Sequence, residues 1–270
     1  VAGNLVTRRI FLGTAAAMWA QPQTRRSSPQ FQWPEGKRVA VSLTFDDARP
    51  SQLDVGVPLL NRHGVKATFY LSPRRAATRL EGWKKAAADG HEMANHSLSH
   101  PCTANYGFSV NNALEDYTEA RMASDLDTAN EEILKMLGVK PESFAYPCGQ
   151  TFVGRGKQTR SYVPLVAKRF LTGRGYLDES PNDPVRCDFA KLMGTAFDDM
   201  SFEQMLQIIT KARNEGRWVI FVGHDVGKRA YQTTDSEALE KLCAYAKDPA
   251  NGVWIDTVLT IARYVQKRRS

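Results

Sequence analysis

The stretch Arg38-Val39-Ala40-Val41-Ser42-Leu43-Thr44-Phe45-Asp46-Asp47 decides how this chain reads. Residues 39–45 are mostly apolar or β-branched, which suits a buried strand. Two adjacent carboxylates end the run. Neighbours on a strand point to opposite sides, so a tandem Asp pair at a strand end can divide labour at the rim of a sheet. Taken alone, Asp-Asp is more often a turn signal, and the weight it carries here comes from two histidine-bearing segments further along the chain.

Working outward, strand-like and helix-like runs alternate. Leu53 to His63 reads as a helix stopped by Gly64, Lys66 to Leu71 as a strand, and Trp83 to Asp89 as a helix stopped by Gly90. A long polar helix is predicted from about Ala113 to Leu137, with Leu126, Ala129, Ile133, Leu134 and Leu137 on its apolar face. Ser143 to Tyr146 is a short strand. Ser201-Phe202-Glu203-Gln204 is a capping-box start for a helix to about Asn214. Trp218 to Val222 is a buried strand. Asp235 or Ser236 starts a helix ending near Ala246, and Asp256 is expected to cap a last helix through Val265. Such β/α alternation predicts a parallel sheet covered by helices. No internal repeat is visible.

The chain has five histidines: His63, His91, His96, His100 and His224. His96-Ser97-Leu98-Ser99-His100 follows the short run Glu92 to Asn95. Pro101 disfavours helical geometry at His100, so a loop or single turn should carry both rings. Two imidazoles and one carboxylate make a three-ligand set for a catalytic metal with an open position. Such a set can also hold non-haem Fe(II). His224 ends the run Trp218 to Val222 in Phe221-Val222-Gly223-His224-Asp225. A lone histidine there reads by default as a buried, hydrogen-bonded group. His91 and His63 read as structural and surface residues.

Thr44-Phe45-Asp46-Asp47, His96-Ser97-Leu98-Ser99-His100 and Val222-Gly223-His224 resemble three motifs of the polysaccharide deacetylases, carbohydrate esterase family four, with its NodB-like domain. Tyr146-Pro147-Cys148-Gly149 is similar to a variant of that family's Arg-x-Pro-aromatic-Gly motif. Each alone is weak; four in order, each after a strand-like run, are specific. The resemblance spans roughly Arg38 to Val265. It implies a single-domain α/β fold, a distorted, incomplete (β/α) barrel with the motifs at the C-terminal strand ends. It also implies Asp46 as general base, and Asp47, His96 and His100 as ligands of one divalent metal. Zinc is the first choice, with cobalt or nickel as alternatives. His224 is then the general acid and the backbone N–H of Cys148 an oxyanion donor.

The third motif departs from the pattern. Ala145 stands where an arginine would steady the catalytic aspartate, and Cys148 replaces an aromatic residue. Arg174, in Thr172-Gly173-Arg174-Gly175, is the substitute put forward, because flanking glycines give the backbone freedom to approach the site. The family's Asp-rich Trp segment is not recognisable. Asp178, Glu179 and Asp183 are the candidates for the partner of His224, and Asp225 could orient its ring. The implied reaction is removal of N- or O-linked acetyl groups from an acetylated glycan. Rival readings are an amidase acting on a small non-sugar substrate, a non-catalytic sugar-binding relative and an Fe(II) oxygenase.

The ends and composition set the context. Thr7-Arg8-Arg9-Ile10-Phe11-Leu12 and the small, apolar run to Ala20 fit a twin-arginine export signal over residues 1–20. That run is too short for a transmembrane helix. Residues 21–37 read as a linker and 38–268 as the catalytic domain. The formal charge is +7, two units of it from Arg8 and Arg9. No aromatic-interleaved basic stripe points to nucleic acid. Oligomeric state is not legible. The four cysteines, Cys102, Cys148, Cys187 and Cys243, form no Cys-x-x-Cys pair. Cys102 and Cys148 each follow a proline in a motif loop, and an oxidising compartment would allow them to pair.

Overall fold

The computed structural model describes residues 31–269. The expected export signal and the first part of the expected linker lie outside the described residues. Strands β1 (Val39–Asp46), β2 (Thr68–Leu71), β3 (Glu92–Asn95) and β4 (Ser143–Ala145) are followed by the short hairpin β5 (Phe152–Val153) and β6 (Arg160–Ser161). Then come β7 (Thr172–Arg174), β8 (Thr195–Ala196), β9 (Trp218–Gly223), the paired β10 (Asp225–Gly227) and β11 (Thr233–Asp235), and β12 (Val253–Ile255).

The main sheet is parallel throughout and runs β7-β4-β3-β2-β1-β9-β8. β12 pairs with the first half of β1, on the edge that β2 occupies along the second half. The two ends of this curled sheet approach each other at Leu192. Its N–H donates to Gly173 O (2.7 Å), and its own carbonyl accepts from Gly175 N–H (2.7 Å). The result is the curled, incomplete barrel that the resemblance implied. Gly194 sits at this seam: a Cβ there would lie 2.5 Å from Gly175 O and 2.6 Å from Arg174 Cδ, so any side chain would force the seam apart.

β1 is buried over its whole length because both faces are covered. Val39, Val41, Leu43 and Phe45 pack outward into the larger core with Phe69, Trp83, Phe197 and Phe221. The alternate residues Ser42, Thr44 and Asp46 turn to the barrel interior, where Ser42 Oγ accepts from Trp218 Nε1 (3.1 Å) and Thr44 Oγ1 donates to Phe221 O (2.7 Å). Helices α1 (Val57–Arg62), α2 (Pro73–Ala77), α3 (Leu80–Ala88), α4 (Glu119–Leu137), α5 (Val163–Arg169), α6 (Phe202–Glu215), α7 (Ser236–Lys247) and α8 (Val258–Arg269) fill the connections. The capping box on α6 forms in full, and Asp235 caps α7.

Several boundaries differ from the sequence reading: the helix read from Leu53 is a π turn over Gln52–Gly56 followed by α1 from Val57, and α3 starts at Leu80 rather than Trp83. The long helix α4 begins at Glu119, six residues later than expected. Leu114–Asp116 make a separate 3-10 turn, and the Thr118 side chain then accepts from Arg121 N–H as the cap. Leu134 is 47% exposed and leaves the buried stripe to Met122, Leu126, Ala129 and Ile133. At α8 the capping side chain is Thr257, which accepts from Thr260 N–H (3.2 Å), while Asp256 only binds Thr257 N–H. Residues 31–37, read as linker, pack on the domain: Trp33 is 3% exposed, donates to Gly216 O and stacks with Tyr264.

Candidate metal centre and active site

Asp46 and Asp47 end β1 and part ways at once. Asp46 keeps the strand direction and faces the interior beside Tyr70, its register partner on β2. Asp47 (φ 77°) and Ala48 (φ 55°) both adopt left-handed geometry and swing the next carboxylate to the rim. Left-handed geometry is uncommon for non-glycine residues. Two in succession make the sharp turn that separates the carboxylates.

The turn after β3 presents both histidines. Ser97 (φ 64°) and His100 (φ 50°) are also left-handed, and side chains hold them there. Asn95 Oδ1 accepts from Ser97 N–H (2.6 Å), Ser97 Oγ from His100 N–H (2.9 Å), and Asp125 Oδ1 from Leu98 N–H (2.8 Å). Asp125, buried on α4, also accepts from Ser99 Oγ. The rings of His96 and His100 meet edge to face at 4.8 Å.

Asp47, His96 and His100 converge. Asp47 Oδ1 lies 3.7 Å from His96 Nε2 and 3.5 Å from His100 Nε2. Tetrahedral bonds of about 2.1 Å would set ligand atoms roughly 3.4 Å apart, so the spacing fits one small divalent ion. His96 Nδ1 is 3.0 Å from Ala145 O. A carbonyl only accepts, so Nδ1 carries the proton and Nε2 keeps its lone pair for a metal. Burial and the neighbouring His96 push His100 down to about 4, which keeps its ring neutral as a ligand must be. Burial would raise the Asp47 carboxyl, but His96, His100, His224 and Arg49 outweigh it and hold the group ionised.

Arg174 reaches Asp46. It ends β7 in register with Ala145 on β4, so the guanidinium arises one strand away from where the resemblance would place an arginine. Ala145 and Ala94 cluster with Tyr70, and these small side chains leave the interior open for it. Arg174 is fully buried, lies over the Tyr70 ring (4.7 Å) and donates through Nη2 to Asp46 Oδ1 and through Nη1 to Gly175 O (2.8 Å). The expected role of its flanking glycines needs correction. Both have ordinary φ, and what they provide is room: a Cβ at either would come within 2.6 Å of a neighbouring oxygen.

His224, just past β9, is held by Asp198. Its Nδ1 lies 2.6 Å from Asp198 Oδ2, and its backbone N–H donates to Asp198 Oδ1 (3.1 Å), which also accepts from Thr234 Oγ1 (3.0 Å). Burial would lower the His224 pKa, but the Asp198 hydrogen bond and the charges of Asp46, Asp198 and Asp47 raise it instead. The partners expected for His224 lie elsewhere. Asp178 accepts from Gly194 N–H (2.9 Å), and Asp183 pairs with Arg217 (2.8 Å). Glu179 has no contact with the ring among the described residues. Asp225 binds Arg49 (2.7 Å) and Ser51 Oγ (2.6 Å) rather than the imidazole.

Asp198 was missed, yet a signal existed. Thr195-Ala196-Phe197-Asp198-Asp199 repeats the Phe-Asp-Asp ending of the first motif after a short strand. Gln52 was missed without any signal; its Nε2 donates to Asp46 O (2.5 Å) and His224 O (2.9 Å), tying the ends of β1 and β9 together. Tyr176 meets the His224 ring edge to face at 5.5 Å.

Cys148 (φ 54°) is disulfide-bonded to Cys102, with Cα atoms 6.0 Å apart. The bond ties the histidine loop to the loop after β4. Replacing both cysteines by serine should lower stability by about 2–4 kcal/mol, read as a lower urea midpoint, with a steeper slope as the unfolded chain loses its cross-link. An unchanged midpoint would mean that the cross-link contributes nothing beyond the hydrogen bonds of these loops, those Asp125 accepts from Leu98 and Ser99 and the one Glu115 accepts from Ala104 N–H (3.0 Å).

Comparison with known proteins bears on the first part of this arrangement, the segment that carries Asp46, Asp47, His96 and His100. The profile of the polysaccharide deacetylase family matches residues 34–162. Over residues 34–162 the chain is similar to the polysaccharide deacetylases. It is 40% identical over 67 residues to a chitooligosaccharide deacetylase of Bradyrhizobium sp., covering 23% of this chain and 29% of that one. It is 28% identical over 116 residues to the peptidoglycan-N-acetylmuramic acid deacetylase PdaA of Bacillus subtilis, covering 41% and 38%. The matches span 27–38% of the length of the first curated relatives. In fold it resembles a family 4 acetyl xylan esterase from Clostridium thermocellum in complex with a cobalt ion (TM-score 0.55, 19% identity, 83% and 91% coverage). At that identity the likeness establishes the fold alone. No helix among the described residues is long and apolar enough to cross a membrane.

Proposed function

We propose that this protein is an exported, metal-dependent hydrolase that removes N-linked acetyl groups from an amino-sugar glycan. The observation that carries the reading is the pairing of two held groups around one ligand triad: Asp46 under Arg174, and His224 under Asp198, beside Asp47, His96 and His100. Asp47, His96 and His100 would hold the divalent metal, zinc first, which when bound polarises the acetyl carbonyl and eases deprotonation of water. Asp46 takes the proton of the attacking water, its carboxylate oriented by the Arg174 guanidinium. The Cys148 amide, presented by the left-handed turn, donates to the developing oxyanion. His224 keeps its Nδ1 proton on Asp198 and delivers the Nε2 proton to the leaving nitrogen.

Two relatives named for N-acetyl amino-sugar substrates favour the amide over the ester. The Arg8-Arg9 segment and the Cys102–Cys148 bond favour an oxidising compartment outside the cytoplasm. The test is acetate release by the metal-loaded protein from a panel of peptidoglycan, chitooligosaccharides and acetylated xylan. Release from xylan alone would overturn the amide assignment, and release from none would overturn the reading.

A dependence on pH is expected. Because the His224 pKa is raised, the acid form persists above the ordinary imidazole value of about 6.5, and turnover falls as pH rises through the raised value. The same pair contributes stability that is complete below the unfolded pKa and lost as pH rises through the folded one. Asp198→Asn removes the main cause, so the alkaline limb of its kcat profile should move to lower pH. An unmoved limb would take His224 out of the acid role.

A further inference from the structure

We infer that Arg49 is a positioning residue for Asp47, occupying one carboxylate oxygen so that only the other is left to coordinate. This rests on the metal-site reading above. Arg49 donates to Asp47 Oδ2 through both Nε (3.1 Å) and Nη2 (3.0 Å). The oxygen facing His96 and His100 is the other one, Oδ1. A carboxylate with both oxygens free can bind a cation through one or two of them. Here the second is taken, so coordination is single-pronged and an open position is kept for substrate.

The geometry that makes this possible is local. Asp47 and Ala48, both left-handed, double the chain back, so residue 49 meets the carboxylate of residue 47. A second region then pins the arginine. Nη1 donates to Asp225 Oδ2 (2.7 Å) and Nη2 to Gln232 Oε1 (2.8 Å). Asp225 in turn accepts from Ser51 Oγ (2.6 Å), and its N–H donates to Gln232 O (3.0 Å). Four side-chain contacts hold a guanidinium whose side chain is only 20% exposed. The rigid fork matters: a lysine would bring the charge without two parallel donors. Arg75 lies 3.6 Å from the same Oδ2 but is 61% exposed, and it makes a natural control.

The test loads the full chain with Co²⁺, whose visible absorption reports coordination number, and titrates it against a chelator. Arg49→Ala should weaken cobalt binding about 10–100-fold and shift the spectrum towards higher coordination. Arg49→Lys should recover only part of the affinity, and Arg75→Ala should match the wild type. Asp225→Asn, which loosens Arg49 without touching a ligand, should show a smaller change in the same direction; it decides the matter if Arg49→Ala fails to fold. Wild-type affinity and spectrum in both Arg49→Ala and Asp225→Asn would overturn the inference while leaving the metal site standing. Full recovery in Arg49→Lys would overturn the one-oxygen assignment. A wild-type protein that takes up no cobalt would overturn the metal reading and this inference together.

Discussion

His96→Ala with His100→Ala is expected to abolish metal uptake, from about one divalent ion per chain to a trace, and activity with it. Each imidazole is prepared for one partner. His96 is 2% exposed, and its Nδ1 is committed to Ala145 O, so Nε2 has only one direction to offer. His100 sits on a left-handed residue whose N–H is bound by Ser97 Oγ, and burial beside His96 keeps it neutral. A single carboxylate left behind at the rim binds an ion far more weakly than a three-ligand set. Elemental analysis of protein purified without chelator is the measurement, with circular dichroism as the control for folding. A double variant that keeps its full metal load would remove these residues from the site.

Asp46→Asn is expected to lower turnover by about 10²–10⁴, the usual range for general acid–base catalysis, at unchanged metal content. The substitution keeps the volume and removes the base. Its partner gives a companion result. Arg174→Ala should reduce turnover strongly and also cost stability, on the order of 3–5 kcal/mol, because it leaves the Asp46 carboxylate buried without its counter-charge. Arg174→Lys should restore part of each, since an ammonium supplies the charge but not the planar contact. If Asp46→Asn loses metal along with turnover, Asp46 and Asp47 exchange roles. If Arg174→Ala is kinetically silent, the buried contact serves the fold alone.

Much of the architecture was legible because it is written in short-range terms. β1 and β9 are largely apolar or β-branched runs long enough to read as buried strands, and the cap and stop residues of α6 sit where local chemistry requires them. β7, β8 and β12 were not legible as strands. Two or three residues carry no period, and their pairing is set by neighbours far along the chain. The start of α4 was misjudged for a related reason: residues 113–118 have helix-compatible composition, but the loop's own bonds, among them Glu115 accepting from Ala104 N–H (3.0 Å), hold them in a turn.

By itself the sequence determined the order of motifs, the alternation that demands a parallel sheet, and the residue types able to hold a metal, because each of these depends on chemistry within a few positions. Arg174 could be put forward for Asp46 from its sequence setting, but its contact with Asp46, the carboxylate that holds His224 and the free oxygen of Asp47 were decided by tertiary structure. Arg174 and Asp46 are separated by 128 positions, and His224 and Asp198 by 26. Nothing local links them. They meet because a curled sheet brings its strand ends around one rim, and because two alanines on β3 and β4 leave the space through which an arginine on β7 can reach across.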